Sequence, residues 1–196
     1  MNRVSIRKMF ALLVMLAAVS IGSTAQDTGT GVTVNIPEKT QPSYILVSML
    51  QSNYAFLLSQ DGRVVKHWVS AYSPALSTYL TNDGTLIRAG MDTNAPYGPT
   101  GAAGFMGGIV EIFNWDGDLL NTVVTMEGET VAHHDIEPMP SGNILVLAYE
   151  RFSGEAALAR GLRPELLPED NEFWSESIVE IDPTTGETVW RWDVWD

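Results

Sequence analysis

Cysteine is absent from the 196 residues. Its absence excludes disulfide stapling, thiolate catalysis, thiolate metal sites and a lipid-modified N-terminal cysteine, so stability must come from apolar packing and backbone pairing. Positive charge is also scarce: 11 Lys and Arg stand against 24 Asp and Glu, a formal net charge of −13. Such a balance keeps a protein in solution and repels nucleic acid and anionic membrane surfaces. An anionic substrate binds such a chain only where local arginines or backbone donors overcome the general field. Histidine occurs three times, as His67, His133 and His134. No HExxH motif, EF-hand loop or GxxxxGK[ST] phosphate loop is present, and the sequence implies no cofactor.

Long apolar runs are missing too. Met9 to Gly22, interrupted only by Ser20, is 14 residues, whereas a bilayer span takes about 20. Arg3, Arg7 and Lys8 precede this run and Ser23-Thr24-Ala25 follows it, which is the pattern of a signal peptide over residues 1–25. The expected mature protein is periplasmic or secreted, with no membrane attachment once the signal is removed. Removing those 25 residues leaves 171, takes the formal net charge to −16 and leaves eight basic residues. Arg88 and Arg151 gain interest by scarcity alone. Residues 26–42 are rich in Thr, Gly and Pro and read as a linker or lead-in strand.

From Pro42 onward the pattern is strand-like and self-similar. Three segments share one form: Tyr54 to Val69 turning at Asp61-Gly62, Ile109 to Val124 turning at Asp116-Gly117, and Ile178 to Val194 turning at Thr185-Gly186. Aligned on those glycines, the position five before is Leu57, Ile112 and Ile181, and the position three after is Val65, Leu120 and Val189. These are hairpins whose turns tolerate positive φ. A second hairpin type alternates with them, Thr78 to Ala89 turning at Gly84 and a later one turning at Ser141-Gly142. Corresponding glycines are 55 (Gly62 to Gly117), 58 (Gly84 to Gly142) and 69 (Gly117 to Gly186) residues apart, so one unit spans two hairpins, or four strands. Such units imply an all-β chain and point to β-propeller blades. A sandwich or meander of unrelated hairpins is the competing arrangement.

The longest interval contains Gly154 to Gly161, a short helix former closed by glycine, then Pro164 and Pro168. One short helical insertion is expected there, a packing ornament or part of a lid. Propellers close with about four to eight blades. Residues 43–196 supply about three four-stranded ones, and the chain stops at Trp190-Arg191-Trp192-Asp193-Val194-Trp195-Asp196. The expectation is an incomplete propeller domain, the N-terminal part of a longer ring, which a truncated reading frame would explain.

The chemistry concentrates on the hairpin Ala132 to Arg151, which opens on His133-His134-Asp135 and closes on Glu150-Arg151. Eight residues before its turn glycine stands His134; eight before Gly84 stands Leu76, with Ala75 and Ser77 where the later hairpin has His133 and Asp135. The scaffold is therefore satisfied by Ala, Leu and Ser. Imidazole can be a neutral nucleophile or a proton carrier near neutral pH, and an adjacent carboxylate such as Asp135 can fix its tautomer. The plainer alternative is a strand end tied to a loop by hydrogen bonds. Adjacent residues on a regular strand point to opposite faces, so His133 and His134 would not chelate one ion without a bulge, and no metal is expected. His67 alternates with apolar residues and reads as an exposed strand position. Arg88 and Arg151 each follow an apolar strand and are candidate anion binders at a blade end, with a surface salt bridge as the alternative for each. The run Tyr97 to Gly108 is a flexible connection between blades.

The segments Asp61-Gly62-Arg63-Val64-Val65-Lys66-His67-Trp68, Asn114-Trp115-Asp116-Gly117, His133 to Arg151, and Ser177 to Asp196 resemble the arylsulfotransferases (aryl-sulfate sulfotransferases) over most of residues 43 to 196. The resemblance implies a six-bladed, exported propeller that moves a sulfuryl group from a phenolic sulfate ester to another phenol without a nucleotide donor. It also implies ping-pong chemistry through a sulfated histidine, with the aryl sulfate and the phenol as small-molecule partners. On this sequence His134 matches a channel histidine with His133 beside it, Arg151 is a candidate sulfate binder, and the nucleophilic histidine is expected in a later blade. Competing readings are a non-catalytic exported propeller that binds a ligand or protein, and a quinone-dependent dehydrogenase.

Overall fold

A computed structural model of the chain describes residues 31–92, 99 and 106–195. The signal segment 1–25 and most of the glycine-rich run from Tyr97 lie outside the described residues. Packing divides the chain into Met1–Thr33 and Val34–Asp196, and among the described residues all strands belong to the second unit. Over residues 31–42 there is no strand, only a single 3-10 turn at Pro37–Lys39.

The protein is all-β, with three antiparallel sheets that use the chain in order. The first holds β1 (Tyr44–Ser48), β2 (Tyr54–Ser59) and β3 (Val64–Val69). The second runs β4 (Ser73–Leu80), β5 (Leu86–Met91), β6 (Gly108–Phe113) and β7 (Leu119–Val124). The third adds the two-residue β8 (Met126–Glu127) to β9 (Thr130–Pro138), β10 (Ile144–Ser153), β11 (Glu172–Ile181) and β12 (Thr188–Asp193). The four-strand period read from the glycine spacing is present in the second sheet and, with β8 as an extra, in the third.

The repeat positions have structural meanings. Gly62, Gly84, Gly117, Gly142 and Gly186 all have φ between 77° and 102°, the region that costs glycine nothing and other residues about 1 kcal/mol or more. Three residues past the glycine, Val65, Leu120 and Val189 are each skipped in the strand register, with Leu57 facing Lys66 and Leu58 facing Val64 in the first case. The shared apolar position is therefore a bulge on an outer strand, and all three side chains are exposed. Five residues before the glycine, Leu57 and Ile181 are buried and Ile112 packs against the core.

Two apolar clusters join successive sheets. Ala55, Leu57, Trp68, Leu86 and Phe113 pack the first sheet on the second, with the Trp68 indole donating to the Asn114 carbonyl at 2.9 Å. Ala75, Val110, Ala132, Ile136, Val146 and Val179 pack the second on the third. The leading strands meet, since β4 lies beside both β1 and β9.

The helical insertion sits between β10 and β11. It comprises α1 (Gly154–Ala159) and a 3-10 turn at Pro164–Leu166. Ser153 Oγ caps α1 by accepting from the Ala156 amide at 3.2 Å, satisfying one of the open first-turn donors. A Cβ on Gly154 would lie 2.2 Å from Asn171 Oδ1 and 2.9 Å from Leu167 Cδ2, so a side chain there would have to displace both.

Candidate functional site

The site begins with a break in strand register. On β9, Ile136 faces Val146 and Ala132 faces Ala148, so three residues, His133, His134 and Asp135, lie opposite Leu147 alone. The middle one, His134, has φ 54°. The same break occurs on β4, where Pro74 faces Gly90, Thr78 faces Arg88, and Ala75, Leu76 and Ser77 lie opposite Ala89. Its middle residue, Leu76, has φ 80°. The aligned triplets are thus one structural device used twice, a left-handed bulge at the same place on the leading strand of two sheets.

The bulge changes what neighbouring side chains can do. Strict alternation would send the two histidines to opposite faces; instead their rings meet edge to face at 5.0 Å, with Nδ1 to Nδ1 at 2.8 Å. His133 is the buried member, 3% exposed. Its Nε2 lies 2.9 Å from Glu176 Oε2, and its ring stacks on Tyr149 at 3.7 Å and 17°. Tyr149 and Glu176 are direct cross-strand partners on β10 and β11, and Trp174 closes edge-on against Tyr149 at 6.3 Å. Burial pulls the His133 imidazole below the ordinary histidine range; the Glu176 carboxylate opposes this and the adjacent His134 adds to it. Burial, and then Glu176, push the Tyr149 hydroxyl up, so it is a neutral platform at physiological pH.

Backbone from outside β9 holds the bulge. Met106 bridges to His133, and the Gly107 amide donates to the Ala132 carbonyl at 2.7 Å. A Cβ on Gly107 would stand 3.2 Å from Ala132 Cβ, so the approach requires the missing side chain. The crevice between the two bulges, lined by Ala75, Ala89, Thr125, Ala132, His133 and His134, encloses about 10 Å³, no more than one water.

Asp135 is exposed and lines the same crevice as the two imidazoles. It accepts from the Tyr79 hydroxyl at 3.1 Å and from the Ile136 amide at 2.9 Å. Burial and then Asp135 push the Tyr79 hydroxyl up to about 12. The sequence offers Asp135 as a carboxylate that can fix an imidazole's tautomer; the carboxylate found 2.9 Å from an imidazole nitrogen is that of Glu176, on His133.

The two arginines lie elsewhere. Arg88 does not emerge at a strand end: it sits inside the second sheet, 1% exposed, facing Glu111 across β5 and β6. Its Nη1 donates to Glu111 at 2.9 Å and to Ser70 Oγ at 2.8 Å, and its Nη2 to the Tyr72 carbonyl at 2.9 Å. No surface is left for a substrate. Arg151 lies on β10 four residues beyond Leu147, about 13 Å along the strand from the histidine bulge. It pairs with Glu129 at 2.6 Å and Glu172 at 3.1 Å, Glu129 foremost raising its already high pKa. Glu129, Asp170 and Glu172 share its depression of about 460 Å³, an acidic setting for an anion. His67 is exposed, as its alternation implies, against Tyr54 and Phe56.

Among the described residues no group of three or more His, Cys, Asp or Glu is placed to hold a metal, and no helix is long and apolar enough to cross a membrane. Sequence reasoning missed Glu176 and Tyr149. Neither lies near the histidines in sequence, and the signal that finds them is the strand register that sets β10 and β11 beside β9.

No family model matches the chain, and no curated protein matches it. Among solved structures it is similar to the crystal structure of a protein of unknown function from Bacteroides caccae, at 14% identity and a TM-score of 0.46. That match covers 77% of this chain, which spans 46% of the other chain's length.

Proposed function

We propose that the chain is an exported arylsulfotransferase-like protein whose sheets are consecutive blades of a β-propeller with β4 and β9 innermost, and that His134, with His133 beside it, is a channel histidine of its sulfuryl-transfer site. One observation carries this reading. The left-handed bulge of β9 gathers two imidazoles where the equivalent bulge of β4 holds only Ala75, Leu76 and Ser77. The resemblance of the His133 to Arg151 hairpin to the arylsulfotransferases supplies the substrate class.

A ring nitrogen of the nucleophilic histidine attacks the sulfur of an aryl sulfate in line, the ester S–O bond breaks, and the phenolate leaves and takes a proton. The sulfated imidazole is then attacked by the oxygen of a second phenol, which gives up its proton as the N–S bond breaks. Splitting the transfer in this way replaces one hard step with two easier ones. The transition state spreads charge over the peripheral sulfuryl oxygens, so donors aimed at them lower the barrier.

The commitment of Arg88 and Arg151 to carboxylates favours a second reading, a propeller that binds a ligand or protein without turnover. Purified protein incubated with a chromogenic phenyl sulfate and phenol separates the two. Transfer through a histidine that gains the mass of one sulfuryl group is expected, with transfer lost in His134→Ala. Ligand binding with no transfer and no sulfated histidine would leave the second reading standing.

A further inference from the structure

We infer that the junction between the second and third sheets is a binding site for a small uncharged molecule, an apolar body about the size of a single ring carrying one hydroxyl or carbonyl oxygen. The inference is independent of the role proposed for His134.

The first junction, between the first and second sheets, is built on the same plan. Aligned on Gly62 and Gly117, Ser70 corresponds to Thr125, and their amides make the same contact, donating to the carbonyls of Asn53 and Gly108 at 2.8 and 2.9 Å. Aligned on Gly84 and Gly142, Arg88 corresponds to Val146. The strand register then sets Glu111 opposite Arg88 and Val179 opposite Val146. The buried triad of Ser70, Arg88 and Glu111 is therefore replaced in the second junction by Thr125, Val146 and Val179. The large apolar groups shrink as well. Trp68 corresponds to Val123, and Phe113, opposite Leu86, corresponds to Ile181, opposite Ile144.

The second junction does not close over these losses. Thr125, Val146, Ala148, Val179 and Ile181, all buried, floor a cavity of about 250 Å³, and the exposed Val124 and Thr188 form its mouth beside Arg191. An apolar cavity of about 150 Å³ suffices to hold benzene, so this one admits a ring with a short substituent. The one polar side chain on the floor is that of Thr125. Ser70 Oγ accepts from Arg88 at 2.8 Å and lies 2.5 Å from Glu111 Oε2. Thr125 Oγ1, on a residue only 6% exposed, has no hydrogen-bond partner among the described residues. A buried hydroxyl in that state is unfavourable, and a ligand oxygen satisfies it.

Charge sets the class. At the mouth Arg191 pairs with Glu150 and, at 2.6 Å, with Asp193, in a chain of formal net charge −13. That field opposes an anion, and a floor of valines offers a cation no carboxylate.

Benzyl alcohol and toluene, which share a ring and differ in the hydroxyl, are the probes. NMR titrations of protein labelled at Val and Ile methyls are expected to show saturable shifts at Val146, Val179 and Ile181, with benzyl alcohol bound more tightly than toluene. Thr125→Val keeps nearly the same shape without the hydroxyl, and is expected to weaken benzyl alcohol about tenfold and leave toluene unchanged. Val146→Met extends a flexible apolar chain where the first junction has that of Arg88, and is expected to abolish binding of both. The other methyl signals report whether each variant is folded. No saturable shift at the three residues, equal affinity for the two probes, or undiminished binding of benzyl alcohol to folded Thr125→Val or Val146→Met would overturn the inference.

Discussion

Leu76 and His134 occupy the same place in successive sheets, each the left-handed centre of a three-residue bulge, at φ 80° and φ 54°. A leucine in that conformation is strained by about 1 kcal/mol or more. Leu76→Gly is therefore expected to raise the free energy of unfolding by about 1 kcal/mol, where the same change in a regular strand would lower it by about that much. Urea unfolding reads the sign, and a clear loss of stability would show that the bulge holds no strain.

The conservative reading of Arg88 is scaffold. Both it and Glu111 are 1% exposed, and a buried pair broken on one side costs about 3–5 kcal/mol because the survivor is left charged and unpaired. Arg88→Met and Glu111→Leu are each expected to show losses of that size, and the double variant to recover most of them. Equilibrium unfolding of the four proteins measures this. A stable Arg88→Met protein with weakened sulfate binding would return Arg88 to the site.

The fold was legible where sequence carries local geometry. Turn glycines mark positive φ, so the hairpins and the four-strand period could be read from their spacing. The triplets at Leu76 and His134 aligned correctly, but the bulge itself left no mark, since leucine rarely adopts φ above zero and histidine, though enriched there, is found mostly at negative φ. The burial of Arg88 did leave one. It interrupts Leu86-Ile87-Arg88-Ala89-Gly90, a run buried on both faces, and Glu111 interrupts Ile109-Val110-Glu111-Ile112 in the same way; two opposite charges in two continuous apolar strands imply a pair between them. Glu176 was invisible because it lies 43 residues from His133 and reaches it only through the pairing of Tyr149 with Glu176 across β10 and β11.

Acid should weaken the protein through His133. Its folded pKa lies below the usual 6.5, burial being the main cause. Between 6.5 and that lower value the unfolded chain binds a proton that the folded chain refuses. Stability therefore falls as pH drops through this window and is regained above it. The groups facing His133 are Glu176 on β11, Tyr149 and the Ala148 carbonyl on β10, and His134 on β9; Tyr149 stays neutral throughout. Thermal unfolding at intervals from pH 7.5 to 5 is expected to show a declining Tm, with a shallower decline in His133→Gln. Equal slopes in the two proteins would remove His133 as the cause.

Two glycines of ordinary φ test whether the histidine pair depends on close backbone approach. A Cβ on Gly90 would lie 2.9 Å from Ile109 Cγ1 and 3.0 Å from its Cδ1, so Gly90→Ala must displace a buried branched side chain and should cost about 1–3 kcal/mol. A Cβ on Gly107 meets Ala132 Cβ at 3.2 Å and the Ala132 carbonyl oxygen at 3.3 Å, a milder collision but with the backbone that carries the next residue, His133. Gly107→Ala should thus lose less stability than Gly90→Ala while disturbing the site more, because β9 can yield only by moving away from Gly107 and shifting His133 against Glu176. Urea unfolding ranks the two stabilities, and the histidine NMR signals report the site. Altered His133 and His134 resonances in Gly107→Ala, against near-native ones in Gly90→Ala, are expected. The reverse pattern would mean that the core behind the second sheet, rather than the strand contact at Gly107, holds the imidazoles together.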